Sequence, residues 1–307
     1  MFRSPDADDT VRLRPAPRRT GLPAWLSLSG IGVLALAIPL WLALRPPPFR
    51  VATEAEIFRH AASRFTVFRL RNDPEILVVD CPGLHAQGLM FDRIAALIEK
   101  AGAPRNHVLS ESGLAATLLA ARASIGTYYY GNDYPARALR RFFRLARAEH
   151  IPLNRQERLL RRIASRAGFL RPGAEGAVLS LPASGPGHRV SLHARAVILR
   201  HELSHGAFFT IASYRAFVRA FWNGVLTAPE RAAFRAFLAR QGYDPSDGTL
   251  IINETQAYLV FTPDPDFFRA SAVGLPRARI AALRRRFIAA MPDFWLKRLA
   301  TAKLPSG

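Results

Sequence analysis

The chain has 307 residues, half of them apolar, which excludes an intrinsically disordered protein because such chains are poor in apolar residues. Its single cysteine, Cys81, excludes an internal disulfide framework and a cysteine-rich zinc module. The formal net charge is +20, and only three of the 43 basic residues are lysine. Such an excess of arginine beside abundant alanine is typical of a genome-wide composition bias. The charge alone therefore identifies no partner.

The first 44 residues divide into two segments. Residues 1–21 are polar, rich in proline and basic near their end, and we expect a disordered tail. Residues 22–44 carry no charge and predict a transmembrane signal anchor, because a helix of that length is about 34 Å long and crosses a hydrocarbon core of roughly 30 Å. The run exceeds the apolar region of about 7–15 residues in a signal peptide. A cleaved signal peptide and a buried core helix remain as alternatives.

The flanking arginines predict the orientation of this anchor. Four precede the span within residues 12–19, whereas only Arg45 and Arg50 closely follow it. The positive-inside rule then places the tail in the cytoplasm and residues 45–307 outside the membrane, in the periplasm if the source is a bacterium. We expect a single-pass protein of the inner or cell membrane.

Beyond the anchor, the residue pattern predicts an α+β domain that is rich in helices and has a small sheet. Residues 64–80 predict two strands joined by a turn at Asn72–Pro74. Apolar residues at helical spacing between Met90 and Ile98 predict a helix that ends by Gly102. A further strand is predicted over 177–182, and further helices over 112–123, 135–149, 154–168, 212–223, 228–241 and 276–299.

The chemistry-bearing segment lies in a predicted helix over residues 190–209, which contains His201-Glu202-Leu203-Ser204-His205. Histidines four residues apart share one helix face, so both imidazoles reach one ion, and Glu202 can contact a water bound there. By composition, roughly 0.007 such matches are expected in this chain. Two ordinary helical histidines, or a metal site without catalysis, are the competing interpretations.

This motif resembles that of the zincin metallopeptidases. The metzincin subgroup is excluded because Ile211 stands where its third histidine would be, and Phe208 takes the place of its glycine. Residues 253–257 read Asn-Glu-Thr-Gln-Ala and are similar to the N-E-x-x-[AS] segment of gluzincins. The resemblance implies a zincin-like domain over 45–307 with Glu254 as a metal ligand.

The resemblance further implies that His201, His205 and Glu254 hold one Zn²⁺ ion and that Glu202 is the catalytic base. Zinc lowers the pKa of its bound water, and Glu202 takes the proton and passes it to the leaving amine. The chain differs from the gluzincin pattern in two respects. Glu254 lies 49 residues past His205, further than in the best-known members, and Tyr258 occupies the position of their orienting aspartate.

Several other residues have two interpretations. Asp244 and Asp247 are alternative third ligands, although aspartate beside proline and glycine usually forms turns. His193 lies about 12 Å along the helix from His201, too far to share the ion. Four side chains are considered as the donor to a developing oxyanion: Tyr258, Tyr243, Tyr214 and His188.

Three further features favour structural roles. Tyr128–Tyr130 are more typical of a packed strand or loop than of a substrate groove, and Asp80–Gly83 favours a strand-end turn over a thiol nucleophile. The basic face of 276–299 favours a solvated surface over a site for anionic lipid headgroups. The predicted span and the absence of a recognition motif in the sequence argue against nucleic-acid binding.

The sequence thus predicts a membrane-anchored zinc metallopeptidase that acts on a peptide, a protein or peptidoglycan. A non-catalytic, zinc-stabilised envelope binding protein is one alternative. A basic anchored protein that binds polyanions is another.

Overall fold

Five strands form one mixed sheet in the computed structural model, which describes residues 49–304. They are β1 (Arg50–Ala52), β2 (Thr66–Leu70), β3 (Ile76–Cys81), β4 (Asn132–Pro135) and β5 (Ala177–Pro182). Their order is β1-β2-β3-β5-β4, so that β4 forms one edge. The predicted tail and the predicted anchor lie outside the described residues. Within residues 49–304, no helix combines the length and the apolar character that crossing a membrane requires.

The two central strands explain where the core lies. Every residue of β3 and β5 is buried, and the two strands pair in parallel with Ile76 opposite Ala177. Strands covered on both faces consist of continuous apolar runs, as these do. The two strands predicted within 64–80 are confirmed by β2 and β3, which pair antiparallel, and the predicted strand over 177–182 is confirmed by β5.

Helices make up most of the remaining chain, which confirms the predicted α+β class. They are α1 (Glu54–Arg59), α2 (Leu84–Ile98), α3 (Glu111–Ala120), α4 (Ala136–Ala148), α5 (Arg155–Arg166), α6 (Leu192–Thr210), α7 (Ala212–Gly224), α8 (Ala228–Arg240), α9 (Gly248–Gln256), a π-helix (Ala257–Phe261), α10 (Ala270–Val273), α11 (Arg277–Ala290) and α12 (Trp295–Thr301). The motif helix α6 begins at the cap Ser191, whose hydroxyl accepts from Ala194 N–H at 3.0 Å.

The prediction of one helix over 276–299 is wrong. The chain leaves the helical conformation at Met291, where ψ is 136°, and re-enters a helix only at Trp295. Pro292 causes the break, because a proline lacks the N–H that a helix needs and disfavours helical geometry in the residue before it. Two arginines of the predicted solvated face also have partners: Arg279 binds Glu230, and Arg284 donates to the Leu259 carbonyl.

The sheet separates two apolar cores. Alternate residues of β3 point to opposite sides, with Ile76 in the core beneath α6, α7, α8 and α11 and Leu77 in the core beneath α2, α4 and α5. Gly206 lets α6 approach the sheet closely, since a β-carbon there would lie 2.8 Å from Ile76 Cδ1. The motif helix is therefore held directly against the central strands.

Arg195 fixes the first half of α6. Its guanidinium is buried and donates to both carboxylate oxygens of Asp80 at the end of β3, at 2.9 and 3.0 Å. It also donates to backbone carbonyls of α1 and the residues after it, and to Pro182 O at the end of β5. Charge-assisted bonds of this kind are strong when buried. The orientation of the motif helix is thereby tied to two strands and to α1.

Candidate metal centre

The structure brings together the three ligands predicted from sequence. His201 and His205 lie on one face of α6 with their Nε2 atoms 3.0 Å apart. Glu254, on α9, places Oε2 3.7 Å from His201 Nε2 and Oε1 3.5 Å from His205 Nε2. One ligand atom from each residue lies within 4.8 Å of the others. This group could hold a metal ion.

The electrostatic environment suits metal ligation. Burial lowers the pKa of both His201 and His205 to about 4, so both imidazoles are neutral at pH 7 and each keeps a lone pair for a ligand bond. Burial raises the pKa of Glu254, whose Oε2 is buried with no hydrogen-bond partner among residues 49–304. A hydrogen bond from Tyr243 lowers that pKa in part. A buried carboxylate oxygen without a partner is costly, and a cation near Oε2 would relieve that cost.

Thr262 determines which nitrogen of His201 faces the ligand cluster. Its hydroxyl donates to the Ala257 carbonyl at 3.1 Å and lies 2.8 Å from His201 Nδ1. Because the hydroxyl proton is used at Ala257, His201 Nδ1–H must be the donor to Thr262 Oγ1, which leaves the lone pair on Nε2. The resemblance implies an orienting aspartate at position 258, where this chain has Tyr258. Instead, the π-helix brings Thr262 to the histidine, and the Tyr258 ring lies 4.9 Å from the His201 ring.

Glu202 lies beside this cluster, against the residue that precedes β4. A β-carbon on Gly131 would lie 2.0 Å from Glu202 Oε1 and 2.6 Å from its carboxyl carbon, so the carboxylate occupies space that only glycine leaves free. Burial raises the pKa of Glu202, and the charges of Glu254 and Glu99 raise it further. Its Oε2 atom has no hydrogen-bond partner within residues 49–304.

Asp133 on β4 is a neighbour of the cluster that sequence reasoning missed. Its Oδ2 lies 3.7 Å from His205 Nε2, and its side chain is nearly buried. No spacing rule links residue 133 to residue 205. The pairing of β4 with β5 alone brings this aspartate to the motif helix, as it does Gly131.

A cleft of about 600 Å³ opens onto His201 and Glu202. Tyr128–Tyr130 line one wall, and the expected packed loop is confirmed, since Tyr128 is also buried in the core beneath α2, α4 and α5. Tyr130 and Phe267, at the cleft, are 50 and 39 % exposed. The motif helix contributes a small apolar floor that includes Val197. The site is therefore reached through a cleft with aromatic walls.

The oxyanion-donor candidates separate into two groups. Tyr243 and Tyr258 line the cleft beside His201. Tyr214 is fully buried and its hydroxyl donates to Gln256 Oε1 at 2.7 Å, while His188 is not among the lining residues. Tyr243 and Tyr258 are the two that the structure places in the cleft.

The alternative ligands have structural roles. Asp244 accepts from Ser246 and from Arg105, and Asp247 caps α9 by accepting from the N–H groups of Thr249 and Leu250 at 2.9 Å. His193 lies 2.6 Å from Asp264, in agreement with its exclusion from the metal cluster. Cys81 is buried at the end of β3, and burial raises the pKa of its thiol.

Comparisons of the chain with protein-family models, with curated proteins and with solved structures found no match.

Proposed function

We propose that this protein is a zinc metallopeptidase in which His201, His205 and Glu254 hold one Zn²⁺ ion and Glu202 is the general base. The observation that carries the proposal is the position of a buried, unpaired carboxylate, that of Glu202, beside the three-ligand cluster at the floor of a cleft. A catalytic zinc site uses three nitrogen or oxygen ligands from the protein and leaves one position open.

The separations of the donor atoms are compatible with one zinc ion. Ligand atoms about 2.0–2.1 Å from a tetrahedral zinc ion lie about 3.4 Å apart. The two imidazole nitrogens are 3.0 Å apart, Glu254 Oε2 lies 3.7 Å from His201 Nε2, and Glu254 Oε1 lies 3.5 Å from His205 Nε2. When bound, zinc would act as a Lewis acid that lowers the pKa of a water molecule and polarises the scissile carbonyl.

The chain's own side chains would then carry the proton. Glu202 accepts a proton from the attacking water and delivers it to the leaving amine, so that its carboxylate is regenerated. Gly131 supports this role because it leaves the carboxylate room. Tyr258, whose ring contacts His201 in the cleft, is the donor that we assign to the developing oxyanion.

We further propose that residues 22–44 anchor the protein in the inner or cell membrane, with the tail in the cytoplasm and the enzyme domain in the periplasm or outside the cell. The uncharged run and the flanking arginines support this placement. Peptides, proteins and the peptide cross-links of peptidoglycan present the same amide to the site. Each remains a proposed substrate.

A non-catalytic, zinc-stabilised envelope binding protein is the second candidate, and Asp133 favours it. Structural zinc sites have four protein ligands, and Asp133 Oδ2, which lies 3.7 Å from His205 Nε2, would supply the fourth. The cleft onto Glu202 favours the enzyme. A peptide-cleavage assay distinguishes the two candidates, because only the enzyme hydrolyses peptides and that hydrolysis requires Glu202.

The test compares Glu202→Gln with Glu254→Gln in the detergent-solubilised full chain. Glu202→Gln should keep stoichiometric zinc by elemental analysis and lose peptide-library cleavage by about 10²–10⁴-fold, because an amide cannot accept the proton. Glu254→Gln should weaken zinc affinity, because a neutral amide is a poor ligand. Zinc without cleavage in the parent would favour the binding protein. Absence of zinc from the parent would reject the site and favour the polyanion-binding alternative.

A further inference from the structure

A second cavity adjoins the metal cleft. It has a volume of about 670 Å³ and shares three lining residues with the cleft, Thr127, Tyr128 and Gln241. Its other walls come from the chain after α2, the end of α3 and the end of α8. The two cavities are therefore neighbours on either side of these three residues.

Three cations line this space, which we call the cationic cavity: Lys100, Arg122 and Arg240. Its lining includes no aspartate or glutamate. Arg122 is exposed, and its guanidinium makes no hydrogen bond or ion pair among residues 49–304. The Arg240 guanidinium makes one hydrogen bond in the same part of the chain, to the Ala272 carbonyl at 2.6 Å, so most of its donors are free. The cavity thus offers unused guanidinium donors.

Backbone hydrogen bonds fix the positions from which two of these side chains extend. Arg122 follows α3 with φ at 52°, and hydrogen bonds from Arg122 N to Leu119 O and from Ala123 N to Leu118 O fix that turn. Lys100 belongs to a bridge with Tyr243, which also lines the metal cleft.

Lys100 also joins the two cavities directly. Its Nζ lies 4.2 Å from the ring centroid of Tyr128 and 3.7 Å from that of Tyr129, and it donates to Tyr128 O at 3.2 Å. Both tyrosines line the metal cleft. The aromatic wall of the cleft thus has a positive charge behind it where it meets the cationic cavity.

We propose that the cationic cavity is a substrate subsite for a carboxylate, on a peptide whose scissile amide lies at the metal. The proposal rests on the proposed function and names its substrate class: peptides with an acidic side chain or terminal carboxylate a few residues from the cleaved bond. The planar fork of a guanidinium matches a carboxylate in two parallel hydrogen bonds, and Arg122 and Arg240 supply two such forks.

The abundance of arginine in the chain calls for a matched control. Arg161 and Arg162 are exposed neighbours on α5 and line neither cavity. Replacing this pair by glutamine changes the net charge as much as replacing Arg122 and Arg240 does. A general attraction of peptides to a basic protein would respond equally to both changes.

The experiment measures binding without turnover. The zinc-loaded full chain carrying Glu202→Gln is titrated into fluorescein-labelled octapeptides, and binding is followed by fluorescence anisotropy. Each octapeptide is alanine except for one glutamate, which is placed at each position in turn. A matching series with glutamine in place of glutamate is the comparison. Over one short range of positions, the glutamate peptide should bind about tenfold more tightly, as charge-assisted hydrogen bonds predict. Adding Arg122→Gln and Arg240→Gln should reduce that preference to about twofold, and adding Arg161→Gln and Arg162→Gln should leave it intact.

Three results would overturn the proposed subsite. The two double variants could lose the glutamate preference equally, the preference could be the same at every peptide position, or the Glu202→Gln chain could show no preference for glutamate over glutamine. The parent chain separates this result from the proposed function. Cleavage of neutral peptides without a glutamate preference rejects the subsite alone. A glutamate preference in binding, with no cleavage by the parent, rejects the peptidase and retains the carboxylate site.

Discussion

The carboxylate of Glu202 fills the space where residue 131 would carry a β-carbon. In Gly131→Ala, the new methyl group would overlap Glu202 Oε1 and force the side chain to rotate. We expect kcat/KM for peptide cleavage to fall at least about 10²-fold with zinc content unchanged, since the base moves while the ligands stay. Gly224→Ala is the control, because a β-carbon there meets no atom within 4 Å. Parental activity in Gly131→Ala would show that this position of Glu202 does not matter for catalysis.

Thr262 provides a second test at the scale of single residues. Thr262→Val preserves shape but removes the oxygen that accepts from His201 Nδ1–H. Zinc affinity, measured by competition with a chelating dye, should fall by about 10–100-fold, as is usual when the partner of a ligating histidine is lost. Thr255→Val is the control, since that buried hydroxyl donates only to its own helix, at Ile251 O. Equal affinities in the two variants would reject the orienting role.

The sequence predicted the two histidines from helical spacing and Glu254 from a motif resemblance, but it missed neighbours that only the tertiary structure brings to the site. Two histidines one helical turn apart are recognisable without a structure. Thr262 reaches His201 because the π-helix changes the helical register after Glu254. The spacing of apolar residues along the sequence does not indicate that change. Asp133 and Gly131 reach the site through strand pairing, which joins residues distant along the chain.

At the scale of elements, Glu230 joins two helices. Its carboxylate completes the cap of α8 at Thr227 and accepts from Arg279 of α11 at 2.6 Å. These bonds, chiefly that from Arg279, lower the pKa of Glu230 to about 2, below the ordinary value of 4.5. Because the folded-state pKa is the lower one, the stabilisation is complete above pH 4.5 and is lost as the pH falls toward 2.

Glu230→Gln should therefore destabilise the protein by about 1–2 kcal/mol at pH 7, a value reduced for solvent screening at the half-exposed Arg279. Urea unfolding measures the free energy of unfolding of the variant and of the parent. The difference between these two free energies should decrease steadily from pH 4.5 to the lowest pH at which the protein stays folded. Glu111→Gln, in the first turn of α3, serves as the control without an ion pair. A difference that stays constant with pH would assign the effect to packing.

Element prediction succeeded where the local pattern and the tertiary environment agree. The central strands are continuous apolar runs, and the helices predicted over 154–168 and 228–241 begin after Asn154 and Thr227, each with both hydrogen bonds of a capping box. Strand β4 reads Asn-Asp-Tyr-Pro, a poor strand sequence, and forms because it pairs with β5. The break at Pro292 was missed because apolar residues continue at helical spacing on both sides of it.

At the scale of the whole molecule, the topology prediction concerns residues beyond those the structure describes. The bias of arginines before the run at 22–44 predicts that the C-terminus is exported. Alkaline phosphatase fused after Gly307 should be active in a bacterial host, and a cytoplasm-dependent reporter at the same position should be inactive. The reverse pattern would overturn the orientation and leave the metal-site proposal unaffected.

The paired strands β3 and β5 are separated in the chain by about 95 residues, all inserted between them. The three ligands and Glu202 come from the chain after this insert, whereas the insert supplies Tyr128–Tyr130 and the Arg122 side of the cationic cavity. Mutation can therefore change the insert's part of the cleft while the ligand helices stay the same. Under the proposed function, changes at Tyr128–Tyr130 or Arg122 would alter the peptide-binding surface and leave His201, His205 and Glu254 in place. Changes at Gly131 or Asp133, which the insert also supplies, would reach the ligand cluster itself.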